Sequence, residues 1–234
     1  RDILKQDVML IDPFDTVASQ LGFKPVGYNP IAGLEPYGDH AFDDAMLAAE
    51  SCVIPDGGMD SHWSGEAAAL IAGLCLWSAE QGGASFGAVR GMLNAPGAAF
   101  KAMVKDMLAS PFELVRAAGG RLDNKEEREL SGVLSTAHRN THFLESAKLA
   151  KSLQRSGFDP KAIGENTTIY IVLPGHRLRT AARIAGGGGE VYALDLARTA
   201  EAMAALKERG PGAPPPPSPA RSFLDELERL IRGR

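Results

Sequence analysis

The chain has 234 residues, of which 44% are hydrophobic and 23% are charged, and its formal net charge is -4. This composition is that of an ordinary soluble globular protein and excludes a disordered or fibrous chain. The negative net charge excludes a general attraction to nucleic-acid phosphates, although it leaves room for a local basic patch. The two cysteines, Cys52 and Cys75, form no CxxC pair, and no apolar run reaches the roughly 20 residues of a membrane span. We therefore expect a soluble, cytoplasmic molecule whose cysteines are reduced and buried.

Two short apolar runs, far apart along the chain, predict β-strands. The first is "DVMLIDP" from Asp7 to Pro13, and the second is "TTIYIVLP" from Thr167 to Pro174. Each run is closed by a proline, which cannot continue a strand ladder. Because two strands alone make a weak sheet, we interpret them as the edge of a larger one.

The sequence between these strands predicts an all-α body. An ordered loop in "YNPIAGLEPYGD" precedes a helix in "DHAFDDAMLAAESCVI", for which Asp39 is the expected cap. The strongest helix is "SHWSGEAAALIAGLCLWSAEQGG", the expected centre of a bundle, and its apolar stripe consists of Trp63, Ala67, Leu70, Leu74 and Trp77. Five further amphipathic segments follow, each bounded by glycine, proline or a capping residue: "SFGAVRGMLN", "GAAFKAMVKDMLA", "PFELVRAAGG", "NKEERELSGVLSTAHRNTHFL" and "ESAKLAKSLQRS".

Four consecutive glycines, Gly186 to Gly189, separate this body from the rest of the chain. A glycine run inside a helix is costly, so we predict a body at residues 1–185, a linker at 186–189 and a separate segment at 190–234. That segment begins with a helix whose apolar stripe is Tyr192, Leu196, Met203 and Leu206. The proline-rich stretch 210–219 predicts an extended spacer. An amphipathic helix follows the spacer, and its apolar face is Phe223, Leu224, Leu227, Leu230 and Ile231.

The predicted fold is therefore mainly α: a multi-helix bundle with two short β-strands at its borders, plus two C-terminal helices joined by a proline-rich linker. A short amphipathic helix cannot bury its apolar face alone, so we expect the last helix to dock in a groove, with Arg232 and Arg234 as further contacts. An acidic rim near the central helix would suit such a basic peptide, and its candidate residues are Asp39, Asp43, Asp44, Asp56 and Asp60.

The residues specify no catalytic, cofactor-binding or metal site. No GxxxxGK[ST] loop is present, and "AGGGGE" lacks the lysine and hydroxyl of a phosphate loop, so the chain is not expected to hydrolyse ATP. His138 and His142 stand four apart, as zinc-binding histidines do, but capping and packing roles are favoured because a third ligand is not obvious. A basic cluster follows the second strand, where it could meet phosphate or an acidic partner or simply face solvent: His176, Arg177, Arg179 and Arg183.

Six segments, read in order from about Asp7 to Arg183, resemble the TraG/TraD family of type IV coupling proteins. They are "DVMLIDPF", "GYNPIAGL", "DDAMLAAESCV", "HWSGEAAALIAGL", "ERELSGVLSTAHRNTHFLES" and "TTIYIVLPGHRLRTAAR". The resemblance implies a hexameric, inner-membrane-anchored ATPase of bacterial conjugation, with ATP and Mg²⁺ used in the intact parent. It also implies that the helical body is the family's all-alpha domain, which helps to recruit relaxase or effector substrates.

The departures from the family pattern define the expected role of this chain. Membrane helices, a Walker A loop and a Walker B strand are all missing from it, so the resemblance implies a truncated, non-enzymatic coupling protein. Residues 190–234 do not resemble the next part of such a protein, and "ERLIRGR" is similar to the arginine-containing translocation signals of type IV substrates. We therefore interpret the chain as a fusion of the all-alpha domain with the C-terminal segment of a relaxase or other transferred protein.

Three functions remain open at this stage. The first is a monomeric substrate-recognition module that binds the translocation signal of a relaxase or secreted effector. The second is a DNA-contacting part of the motor, in which the arginines after Leu173 line a channel for single-stranded DNA. The third is a natural single chain whose tail is autoinhibitory.

Overall fold

Seven α-helices and a 3-10 helix lie between two short strands in a computed structural model, which describes residues 7–20, 22–54, 61–157 and 167–174. The strands are β1, Asp7–Ile11, and β2, Thr167–Ile171. The helices are α1 (Ala41–Cys52), α2 (Ser61–Glu80), α3 (Phe86–Leu93), α4 (Gly97–Leu108), α5 (Glu113–Asp123), α6 (Glu127–Thr141), a 3-10 helix (His142–Glu145) and α7 (Ala147–Ser152). The mainly α prediction is confirmed, while the two predicted C-terminal helices lie outside the described residues. No helix within those ranges is long and apolar enough to cross a bilayer.

The two strands pair in parallel, although the entire helical body separates them in sequence. Their register runs from Asp7 opposite Thr167 to Ile11 opposite Ile171. Directly after β1 the buried carboxylate of Asp12 accepts hydrogen bonds from the backbone N–H groups of Val17, at 2.8 Å, and Ala18, at 3.1 Å. These bonds hold the chain in a compact turn as it leaves the sheet for the helical body.

Helix α2 lies at the centre of the body and contacts α1, α3, α5 and α6. The predicted stripe is correct at Ala67, Leu70 and Leu74, which are buried, but it is too narrow, because Ala72 and Leu76 on the opposite side of the helix are also buried. A helix with neighbours on several sides must be apolar around most of its circumference. Both cysteines are buried thiols, as expected, and burial raises the pKa of the Cys75 thiol far above its ordinary value.

Helix α5 runs through Gly119 and Gly120 to Asp123, so the prediction that this glycine pair ends the helix is wrong. The glycines serve close packing instead of termination. A Cβ atom on Gly119 would lie 2.9 Å from the Cβ of Met107 on α4. A similar close approach joins α5 to α2, since a Cβ on Gly73 would lie 2.7 Å from the Cβ of Ala118. Glycine is tolerated here because tertiary contact outweighs its low helix propensity.

The loop before α1 is ordered, as predicted, and hydrogen bonds of Asn29 hold it in place. Its amide nitrogen donates to the carbonyl of Ala84 at 2.7 Å, and its backbone N–H donates to the hydroxyl of Ser156 at 3.0 Å. The expected cap of α1 is wrong, however. His40 rather than Asp39 occupies the N-cap position, and its side chain makes no capping hydrogen bond. Asp39 is instead exposed to solvent.

Candidate helix-binding groove

An apolar groove lies between α1 and α5, with α2 as its floor. Its volume is about 260 Å³. The walls come from Phe42 and Met46 on α1 and from Leu114, Ala117, Ala118 and Leu122 on α5, and the floor includes Ala69, Leu70, Ala72, Gly73 and Leu76 of α2. The Gly73–Ala118 approach described above brings α5 close to α2, and the groove is lined mainly by small and aliphatic side chains.

Phe42 is the most informative residue of this groove. It lies on the first turn of α1 and lines the groove, yet 54% of its surface is exposed to solvent. Met46, one turn further along α1, is partly buried against the hydrophobic core. A large aromatic side chain left in water beside an apolar surface is a typical feature of a contact site for another molecule.

One end of the groove is formed by charged side chains from α2 and from the end of α5. The ammonium of Lys125 lies 2.8 Å from a carboxylate oxygen of Glu66 and 2.5 Å from one of Glu129. The guanidinium of Arg121 lies 3.6 Å from the other Glu66 oxygen. Lys125 and then Arg121 hold the pKa of Glu66 below its ordinary value, against the opposing effect of burial. Glu129 and Glu66 in turn raise the pKa of Lys125, so this end stays ionised at neutral pH.

The surface next to the other end of the groove is acidic and aromatic, although these residues do not themselves line the groove. The Tyr37 and Phe112 rings lie 5.8 Å apart, which brings the segment before α1 to the start of α5. The predicted rim residues Asp39, Asp43 and Asp44 are all exposed here, with Asp43 and Asp44 in the first turn of α1. The two remaining predicted rim residues, Asp56 and Asp60, lie outside the described residues.

The His138 and His142 pair belongs to a different polar cluster, centred on Arg90 of α3. The buried Arg90 guanidinium donates to the hydroxyl of Thr141 at 2.8 Å, to the carbonyl of His138 at 3.1 Å and to Glu145 at 2.5 Å. It also lies 3.2 Å from Nδ1 of His138, whose pKa is lowered by burial and by the charge of Arg90. His142 is largely exposed, and its Nε2 atom lies 3.4 Å from Glu145. Within the described ranges, no group of three potential ligands is arranged to hold a metal ion.

Several predicted site residues lie outside the described residues. They are the basic cluster after β2, at positions 176–183, and all the residues predicted for the docking helices: Tyr192, Leu196, Met203, Leu206, Phe223, Leu224, Leu227, Leu230, Ile231, Arg232 and Arg234. Sequence reasoning in turn missed Phe42, Arg121 and Lys125. The sequence held no distinct signal for Phe42, since an apolar residue followed by two polar ones, as in "AFDDAM", is the ordinary pattern of an amphipathic helix.

A model of the family described as type IV secretory system conjugative DNA transfer matches residues 1–186. The chain belongs to this family. The match includes both strands and the whole helical body of the coupling protein, and it confirms the resemblance to the TraG/TraD type. It ends at the first of the four glycines. Neither the curated proteins nor the solved structures that were compared gave a match.

Proposed function

We propose that the helical body is a substrate-recognition module of a conjugative coupling protein, and that it acts by binding rather than by catalysis. Its groove between α1 and α5 receives an amphipathic helix, and the helix comes from the C-terminal translocation signal of a relaxase or secreted effector. The observation that carries this proposal is the apolar groove with the half-exposed Phe42 on its wall.

The dimensions of the groove favour a helix over a small molecule. Pockets for small molecules usually enclose roughly 300–1,000 Å³, whereas this groove measures about 260 Å³. The polar side chains that line it, Glu66, Arg121 and Lys125, are confined to one end, so the rest of the groove offers only apolar side chains. A row of aliphatic side chains on one face of a helix is the ligand that such a surface accommodates.

Segment 218–234 of the chain shows how such a ligand would fit. Its predicted apolar face extends from Phe223 to Ile231, eight positions apart, which is about 12 Å along a helix. The apolar part of the floor extends from Ala69 to Leu76, seven positions apart, or about 10 Å. The apolar face therefore matches the apolar length of the groove.

The proposal is tested with a fluorescent peptide of residues 218–234 and the full chain carrying Leu227→Asp. The substitution places a charge on the apolar face of the chain's own copy of this segment, so that the added peptide meets no competitor. We expect the peptide to bind, and Phe42→Ser in the same receptor to weaken binding at least about tenfold, since an aromatic contact is lost. Fluorescence anisotropy gives the dissociation constants.

Leu47→Ser is the matched control, because Leu47 is also on α1 and is 57% exposed but does not line the groove. It should leave the peptide's affinity unchanged, and circular dichroism should show both variants folded. Equal losses in the two variants, or no binding at all, would contradict the proposal. If the body instead binds a single-stranded oligonucleotide with an affinity that falls steeply with salt, DNA contact is its function.

A further inference from the structure

We infer that the groove binds its helix in one direction, with acidic N-terminal turns beside Arg121 and basic C-terminal turns beside the acidic start of α1. The inference rests on the proposed function and adds the charge pattern by which a ligand is recognised. It follows from the difference between the two ends of the groove.

The directions of the helices define these ends. Helix α5 is antiparallel to α2, because Ala118 meets Gly73 while Arg121 and Lys125 meet Glu66, further back along α2. The Tyr37–Phe112 ring contact places the start of α1 beside the start of α5. The groove therefore runs from Glu66, Arg121 and Lys125 at one end to the first turns of α1 and α5 at the other.

Arg121 is the accessible charge at the first end. The side chain of Lys125 is 10% exposed and lies between Glu66 and Glu129, so these three charges largely satisfy one another. The side chain of Arg121 is 56% exposed, and a single contact of 3.6 Å uses little of its five N–H donors. Arg121 is therefore available for a carboxylate of a docked helix.

The second end attracts the opposite charge. Residues 37–44 include three acidic side chains, Asp39, Asp43 and Asp44, together with His40 but no lysine or arginine. Glu113 is exposed at the start of α5, directly before the groove-lining Leu114. The one arginine in the first turns of α5, Arg116, donates to the carbonyl of Ser110 at 2.7 Å. Carboxylates thus outnumber cations at this end and favour a basic group.

Segment 218–234 carries the complementary charge pattern. Its acidic residues Asp225, Glu226 and Glu228 come first, and the basic residues Arg229, Arg232 and Arg234 follow, although Arg221 precedes both groups. Asp225 and Arg232 are seven positions apart, or about 10 Å in a helix, within the length of the groove. Only one direction of binding places each group beside the opposite charge.

The test uses two labelled peptides of identical composition with the Leu227→Asp chain as receptor. The first has the sequence of residues 218–234. In the second, two oppositely charged pairs spaced four residues apart exchange the positions of their charges: Asp225→Arg with Arg229→Asp, and Glu228→Arg with Arg232→Glu. The apolar face of the peptide is unchanged. At low salt we expect the first peptide to bind about fivefold more tightly or better. Arg121→Glu in the receptor should reduce this preference.

The direction itself is read from a nitroxide label on the N-terminus of the first peptide. We expect NMR amide signals near Arg121 to broaden more than those near Asp43, and Phe42→Ser to remove the broadening. If the broadening is equal at both ends, or stronger near Asp43, the inferred direction is wrong. The proposed function would still hold in that case, provided that the affinity depends on Phe42. Absence of binding that depends on Phe42 would overturn both.

Discussion

Two regions that pack against α2 differ in how completely they are closed. Where α3 and α6 meet it, the buried Arg90 links three elements, and the Trp63 ring covers Gly132, where an added Cβ would lie 2.7 Å from a ring atom. Where α1 and α5 pack against α2, a groove remains open, and about half of the Phe42 surface is exposed to solvent. The same central helix thus supports one surface that is complete and another with room for a further element.

The largest effect is expected from Trp63→Ala on the closed side. The substitution removes the ring that fills the gap above Gly132 between α2 and α6, and the cavity should lower the free energy of unfolding by about 3 kcal/mol. Urea denaturation followed by circular dichroism measures this loss. Leu47→Ala, on the exposed part of α1, should cost less than about 0.5 kcal/mol. Similar losses in the two variants would mean that the Trp63 ring does not close the side of α2 that faces α6.

An intermediate effect is expected from Arg90→Met, which keeps much of the side-chain volume but removes the guanidinium. The His138 carbonyl, the Thr141 hydroxyl and Glu145 lose their donor, so we expect a loss of about 2 kcal/mol in the free energy of unfolding. Arg116→Met is the control, because Arg116 also donates to a carbonyl but is itself exposed. It should cost under about 1 kcal/mol. If Arg116→Met lowers the free energy of unfolding as much as Arg90→Met does, the hydrogen bonds of Arg90 do not stabilise this side of the helical body.

The smallest effect concerns pH and His138. Burial and the neighbouring Arg90 lower its pKa in the folded state below the ordinary 6.5, so at mildly acidic pH the unfolded chain binds this proton more readily. The free energy of unfolding should therefore fall as the pH drops below about 6.5 toward the folded pKa. In His138→Gln this part of the pH dependence should disappear. Measurements of both proteins at pH 7.5 and pH 5.5 test this, and identical pH slopes would contradict it.

Local signals made much of the fold predictable from the sequence. Both strands begin at the predicted residues and end shortly before the prolines that bound them, because proline cannot continue a ladder. Helix α2 was recognisable from its length and apolar content. The end of α5 was not recognisable, because Gly119 resembles a residue that ends a helix. Its packing role becomes clear only from its contact with Met107 of α4.

The candidate groove was predictable only in part. The acidic residues Asp39, Asp43 and Asp44 cluster in the sequence, so their shared location at the start of α1 was foreseeable. The approach of Phe42 and Arg121 to one groove depends on how α1 and α5 pack on α2, and these residues are 79 positions apart. Every amphipathic helix offers an apolar stripe, and only tertiary packing decides which stripes remain uncovered.

The parallel pairing of β1 and β2 has a practical consequence for domain deletion. A tight turn cannot join parallel strands, so the whole helical body serves as their crossover connection. Ile11 and Thr167 lie at opposite ends of the pair, about 13 Å apart along the strands. A variant that removes the helical body must therefore keep a bridge of about a dozen residues between them. A shorter join would pull the strands out of register, and any loss of function would then report on the sheet instead of on the helical body.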